Sequence, residues 1–134
     1  MEQVPEHAQQ RTPPERTPAE VLALAQSAFY LVTGIWPILS PATFQAVTGS
    51  KVDFWLVKTA GVLITAIGAA LGLGAAKRRL TPELKLLAVT SAAGLTAIDI
   101  YYVAQKRISP VYLLDAAVEV ALLGAWASVE QAEE

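Results

Sequence analysis

The sequence predicts an all-α protein: an integral membrane four-helix bundle built from two helical hairpins, with a short interfacial helix after the first span. Three observations carry this expectation. The chain is 54% hydrophobic and only 16% charged, against about 25% charged in ordinary soluble domains. Its charges gather in the N-terminal tail, the joints and the C-terminus. Four apolar stretches remain, each of roughly 20 residues, and at about 1.5 Å per helical residue each covers the ~30 Å of a hydrocarbon core.

Residues 1–16, MEQVPEHAQQRTPPER, are polar and aperiodic, and cannot bury enough apolar surface to offset their ordering entropy. They read as a disordered cytoplasmic tail. No basic start leads directly into an apolar run, so the first hydrophobic segment is expected to stay in the mature chain. The transmembrane domain then occupies 17–129, and the acidic residues 130–134 read as a frayed end.

Thr17-Pro18-Ala19-Glu20 has the form of a capping box with proline at the first helical position, opening a first span at about 21–39. Within it Gln26, Tyr30, Thr33 and Pro37 recur at helical spacing and give one mildly polar face. Ser40-Pro41 starts the segment PATFQAVT, ended by Gly49. Eight residues are too few to span, so this is the interfacial helix, with Phe44 and Val47 turned to the apolar side. The second span, about 54–76, carries the small residues Gly61, Thr65, Gly68, Gly72 and Ala76. Small side chains let helix backbones approach closely where lipid removes the hydrophobic drive for association, so Gly61, Gly68 and Gly72 are assigned to helix packing. Lys77-Arg78-Arg79 closes this span, and Thr81-Pro82 opens the third, about 84–104. Lys106-Arg107 and Ser109-Pro110 then separate it from the fourth, about 110–128.

The chain contains no cysteine, and its one histidine, His7, lies in the tail. Thiolate metal sites, cysteine nucleophiles, histidine-held haem or zinc and a Ser-His-Asp triad are therefore not expected. Neither is a cofactor, a metal or a catalytic set. A formal net charge of −2 lacks the basic balance that a nucleic-acid partner requires.

The informative residues are the ionisable ones inside the spans, since such residues are costly in lipid and mark functional positions. Lys58 lies roughly 10 Å into the second span, while Asp99 and Asp115 lie about 8 Å from the same end on the third and fourth. Glu119 stands one turn beyond Asp115, on the same face. One lysine and three acids are thus expected to share one layer, leaving two carboxyl groups to be protonated, hydrated or paired with a bound cation. Tyr102 and Tyr112, on the charged faces, are candidate walls of a polar pocket. Trp36, Trp55 and Tyr101 read as an interfacial belt, and Trp126 as an anchor at the opposite end.

The resulting expectation is a multi-pass protein of the plasma or bacterial inner membrane. Its outer-side pocket of Lys58, Asp99, Asp115, Glu119, Tyr102 and Tyr112 binds a small or amphiphilic ligand. It acts as a carrier or as a subunit of a homodimer or larger membrane complex. Two alternatives stay open: a proton-coupled transporter working as a homo-oligomer, and a membrane enzyme acting on a lipid or quinone.

Four spans put both termini on one side. That side carries Arg11, Arg16, Lys77, Arg78, Arg79 and Lys85, and the other carries Lys51, Lys106 and Arg107. The positive-inside rule makes the first side cytoplasmic. Single cysteines placed at positions 50 and 108 of this cysteine-free chain should react with an impermeant thiol reagent outside intact cells, and one at position 80 should not. The reverse labelling pattern would invert the topology.

Overall fold

The computed structural model describes residues 15–133, so His7 and most of the expected tail lie outside the described residues. Among the described residues the chain is all-helical, with five helices: α1 (Pro18–Leu39), α2 (Pro41–Thr48), α3 (Phe54–Ala76), α4 (Pro82–Ala104) and α5 (Tyr112–Glu133). All but α2 are long and apolar enough to cross a membrane. The last helix runs on through the acidic stretch to Glu133, past the boundary at which the sequence suggested fraying.

Local chemistry fixes most of the helix starts. Thr17 accepts from the Glu20 amide at 3.1 Å and the Glu20 carboxylate accepts from the Thr17 amide at 2.9 Å, completing the capping box. Thr81 caps α4 through the Leu84 amide, and Ser40 caps α2 through the Thr43 amide. Asp53 occupies the cap position of α3 but makes no side-chain cap bond. The end of α2 needs a left-handed residue, and Gly49 supplies it at φ 96°. Glu15 and Arg16, counted with the tail in the sequence, are tied to the bundle. The Arg16 guanidinium donates to the Ala75 carbonyl at 2.8 Å, beside the Arg78 amide that bonds the same carbonyl at 3.1 Å at the end of α3, and the Glu15 carbonyl accepts from Arg78 at 3.4 Å.

The four long helices form two hairpins, α1 against α3 and α4 against α5, which meet more sparsely through α1–α5 and α3–α4. Small residues determine the first pairing. A Cβ on Gly61 would lie 2.6 Å from the Gly34 carbonyl oxygen, and one on Gly68 would lie 3.0 Å from the Tyr30 Cβ and 3.1 Å from the Ser27 carbonyl. One on Gly72 would collide with the Ser27 hydroxyl. That hydroxyl donates to the Gly68 carbonyl at 2.6 Å. The ridge on α3 therefore packs against α1, and Gly34 on α1 is its counterpart.

The bundle is unequal along its length. At the end that holds the start of α1 and the end of α5, Ala19, Ala23, Leu71, Ala75, Ala88 and Trp126 close into a buried core. Trp126 is 1% exposed and so forms part of the core, not an interfacial anchor; its indole fills the space that the surrounding alanines leave. The opposite end does not close.

Gly61→Ala forces a backbone shift, and overpacking of this kind costs about 1–3 kcal/mol. Melting in detergent should fall for Gly61→Ala and hold for Ala66→Leu, which adds more bulk at an exposed position of the same helix. Equal losses would show that the α1–α3 approach does not depend on the missing side chain.

Candidate functional site

At the open end the helices enclose a cavity of about 540 Å³. Each long helix contributes one wall. From α1 come Tyr30, Thr33 and Trp36; from α3, Val57, Ala60 and Ile64; from α4, Leu95 and Asp99; from α5, Tyr112, Asp115 and Glu119. The short α2 lies across one side with Phe44 and Thr48. Trp36 holds α2 in place, its indole N–H donating to Thr43 at 2.9 Å and its ring meeting Phe44 edge-on at 5.2 Å. The lining is mostly apolar, and its carboxyl groups all stand on the wall shared by α4 and α5.

Three carboxyl groups stand on that wall. Glu119 is wholly buried and Asp99 is 5% exposed, while Asp115 is half-buried. Tyr30 reaches across from the other hairpin and donates its hydroxyl to Glu119 Oε1 at 2.9 Å. Asp99 on α4 and Asp115 on α5 both line the cavity on this wall. One oxygen on each of the two most buried acids, Glu119 Oε2 and Asp99 Oδ2, has no hydrogen-bond partner among the described residues. Leaving a buried acceptor unpaired costs roughly 1–3 kcal/mol, more when it is charged. The fold tolerates two such atoms on residues that line one cavity.

Directly beneath lies a polar relay. Gln26 accepts the Trp126 indole N–H at 2.8 Å and donates to the Ala88 carbonyl at 3.0 Å. One side chain thereby links α1 to both helices of the other hairpin. Its donor and its acceptor are both used, so this layer closes the cavity floor without leaving a spare polar atom on Gln26.

Of the residues assigned to the pocket from sequence, Asp99, Asp115, Glu119 and Tyr112 line the cavity. Lys58 and Tyr102 do not, and both are corrected. Lys58 is exposed, because the close fit of Gly61 to Gly34 sets the rotation of α3. At 100° per residue Lys58 then stands about 60° away from Gly61, while Val57, about 40° to the other side, takes the inward position. Tyr102 is exposed and packs edge-on against Tyr101 at 5.0 Å, clear of the acidic wall. The expected lysine–acid layer therefore does not form.

The nearest cation to the mouth is Lys51, a loop residue to which the sequence gave no role beyond topology. Its ammonium donates to the Thr48 and Gly49 carbonyls at 2.9 and 2.8 Å and stands 5.3 Å from the Tyr112 ring centre. Burial holds its proton affinity below that of a free lysine. It caps the end of α2 and is occupied there. Tyr30 and Gln26 were visible in the sequence only as two members of a mildly polar stripe. Their spacing of four residues, which stacks them on one face, was the available signal for a buried partner.

Comparison with protein-family models, curated proteins and solved structures finds no match to this chain.

Three substitutions test the wall. Tyr30→Phe strands Glu119 Oε1 and should cost about 1–3 kcal/mol, whereas Glu119→Gln keeps an acceptor for Tyr30 and should cost less. Lys58→Met should leave the melting temperature unchanged at neutral pH. A large loss on Lys58→Met would return the lysine to the charged layer.

Proposed function

We propose that this chain is a multi-pass membrane protein whose cavity receives an amphiphilic molecule, acting as a carrier or as the ligand-binding subunit of a membrane complex. The observation that carries the reading is the pairing of an apolar cavity with a rim that is itself apolar and exposed. Leu114 at the mouth is 68% exposed, and Leu56, Ile98 and Val47 are each at least half exposed. All four line the cavity. Leucine and valine turned outward at the lip of a cavity suit hydrocarbon, not water. Four helices long and apolar enough to cross a bilayer would put that lip beside lipid chains. A molecule already dissolved in the bilayer then slides in sideways, its apolar body along α3 and its polar end toward the α4–α5 wall.

In this reading both termini and the 77–81 turn are cytoplasmic, the cavity lies in the outer half of the bilayer, and α2 rests at the outer interface as its cover. Trp36, Phe44 and Lys51 hold that cover to the bundle. The adjacent Asp99 and Asp115 favour proton-coupled transport as a second reading, since two neighbouring carboxyl groups suit proton exchange during ligand binding.

The experiment is a filled cavity. Val57→Trp and Ala60→Trp place an indole in the space without touching the acidic wall. Parent protein purified in mild detergent should yield an amphiphilic molecule on solvent extraction, detected by mass spectrometry, and the filled variants should lose it while melting as the parent does. Equal recovery from parent and filled variants would place any such molecule outside the cavity and overturn the reading. The chain should also stay with the membrane through an alkaline carbonate wash.

A further inference from the structure

The polar end of the cavity says which amphiphile fits. Its wall offers acceptors in excess. Glu119 Oε2 and Asp99 Oδ2 are both unpartnered, on side chains 0% and 5% exposed, and both residues line the cavity. No lysine or arginine lines it among the described residues. The ion pairs Arg78–Glu20 and Lys85–Glu130 join residues at the other end of the bundle. Lys51, nearest the mouth, already donates to the end of α2. A buried carboxylate needs a positive partner or a proton, and the described chain supplies no cation on this wall.

We infer that the occupant is an organic cation with an apolar body, a protonated long-chain amine or a quaternary ammonium, its head held against Asp99 and Glu119. This rests on the reading of the cavity as an amphiphile site and specifies its ligand. Three features choose an organic cation over other occupants. Among the described residues no group of three or more acids converges closely enough to hold a metal ion, so the wall suits a large, diffuse charge. The Trp36 indole also lines the cavity, and an aromatic face attracts an alkylammonium head. An anionic headgroup, a fatty acid or a phospholipid phosphate, would face three carboxyl groups with no counter-charge and is disfavoured by like-charge repulsion. The remaining lining, from Val57 to Ile64 on α3, is apolar or small and matches a hydrocarbon chain.

Three probes with one tail and different heads separate the possibilities: dodecyltrimethylammonium, dodecanol and dodecanoate. Val57→Cys introduces the sole cysteine, on the cavity wall, and its alkylation by a small neutral maleimide in lipid nanodiscs reports occupancy. Dodecyltrimethylammonium should slow alkylation several-fold and saturably, dodecanol little and dodecanoate not at all. Adding Glu119→Gln, or Asp99→Asn, should restore the probe-free rate. Equal slowing by all three heads would overturn the cation assignment while leaving the cavity an amphiphile site. Slowing by none would overturn both. Should either acid variant fail to fold, the ranking of the three heads on Val57→Cys alone still decides.

Discussion

Gln26 stands where two independently packed hairpins must be joined. In a bilayer, lipid tails are as apolar as leucine, so helices gain little from hiding apolar faces from one another, and association falls to close packing and buried hydrogen bonds. Within the first hairpin close packing suffices: Gly34, Gly61 and Gly68 bring α1 and α3 nearly backbone to backbone. Between hairpins the contacts are sparser, and polar bonds define the register. Gln26 meets Trp126 and Ala88, and Tyr30 meets Glu119. These residues lie one helical turn apart on α1, so the same face that fixes the second hairpin also forms the floor of the cavity.

That arrangement explains why the bundle is tight at one end and open at the other. Below Gln26 the facing residues are alanines with Leu71 and Trp126, a combination of small and large that fills space. Above Tyr30 the helices carry Thr33, Val57, Ala60 and Asp99 on their facing sides, and these leave a chamber of about 540 Å³. The acids are turned inward by the same rotation that buries Trp126, since Glu119, Leu122 and Trp126 share one buried face of α5. Structure and candidate chemistry are thus set by a single helix orientation.

Much of the fold was legible in the sequence because its signals are local. Proline after Ser or Thr marked the starts of α1, α2 and α4, and a small-residue ridge marked the packing side of α3. The acids were legible as well, since a carboxyl group inside a long apolar helix must turn from lipid. Lys58 was not, and the reason is geometric. Periodicity groups residues into a stripe wider than the contact itself, and Lys58 falls about 60° off the line on which Gly61 touches Gly34. A long flexible stem also lets a lysine sit outside a bundle and reach water, a freedom that Asp99 lacks. Trp126 misled for a related reason: a tryptophan near a helix end looks the same whether it meets headgroups or fills a gap among alanines. Only the acceptor on Gln26, a hundred positions earlier in the chain, distinguishes the two.

The floor made by Trp126 and Gln26 also determines what sort of device this fold is at rest. A chamber closed by that layer is a cul-de-sac toward the far end of the bundle: nothing flows through it lengthwise. Throughput on the far side would require the hairpins to part there, trading the two Gln26 bonds and the Tyr30–Glu119 bond for a new set. The resting architecture is that of a pocket closed at its floor, not of a channel. Under the proposed reading, traffic across it would have to be gated at that floor, far from the open end of the cavity.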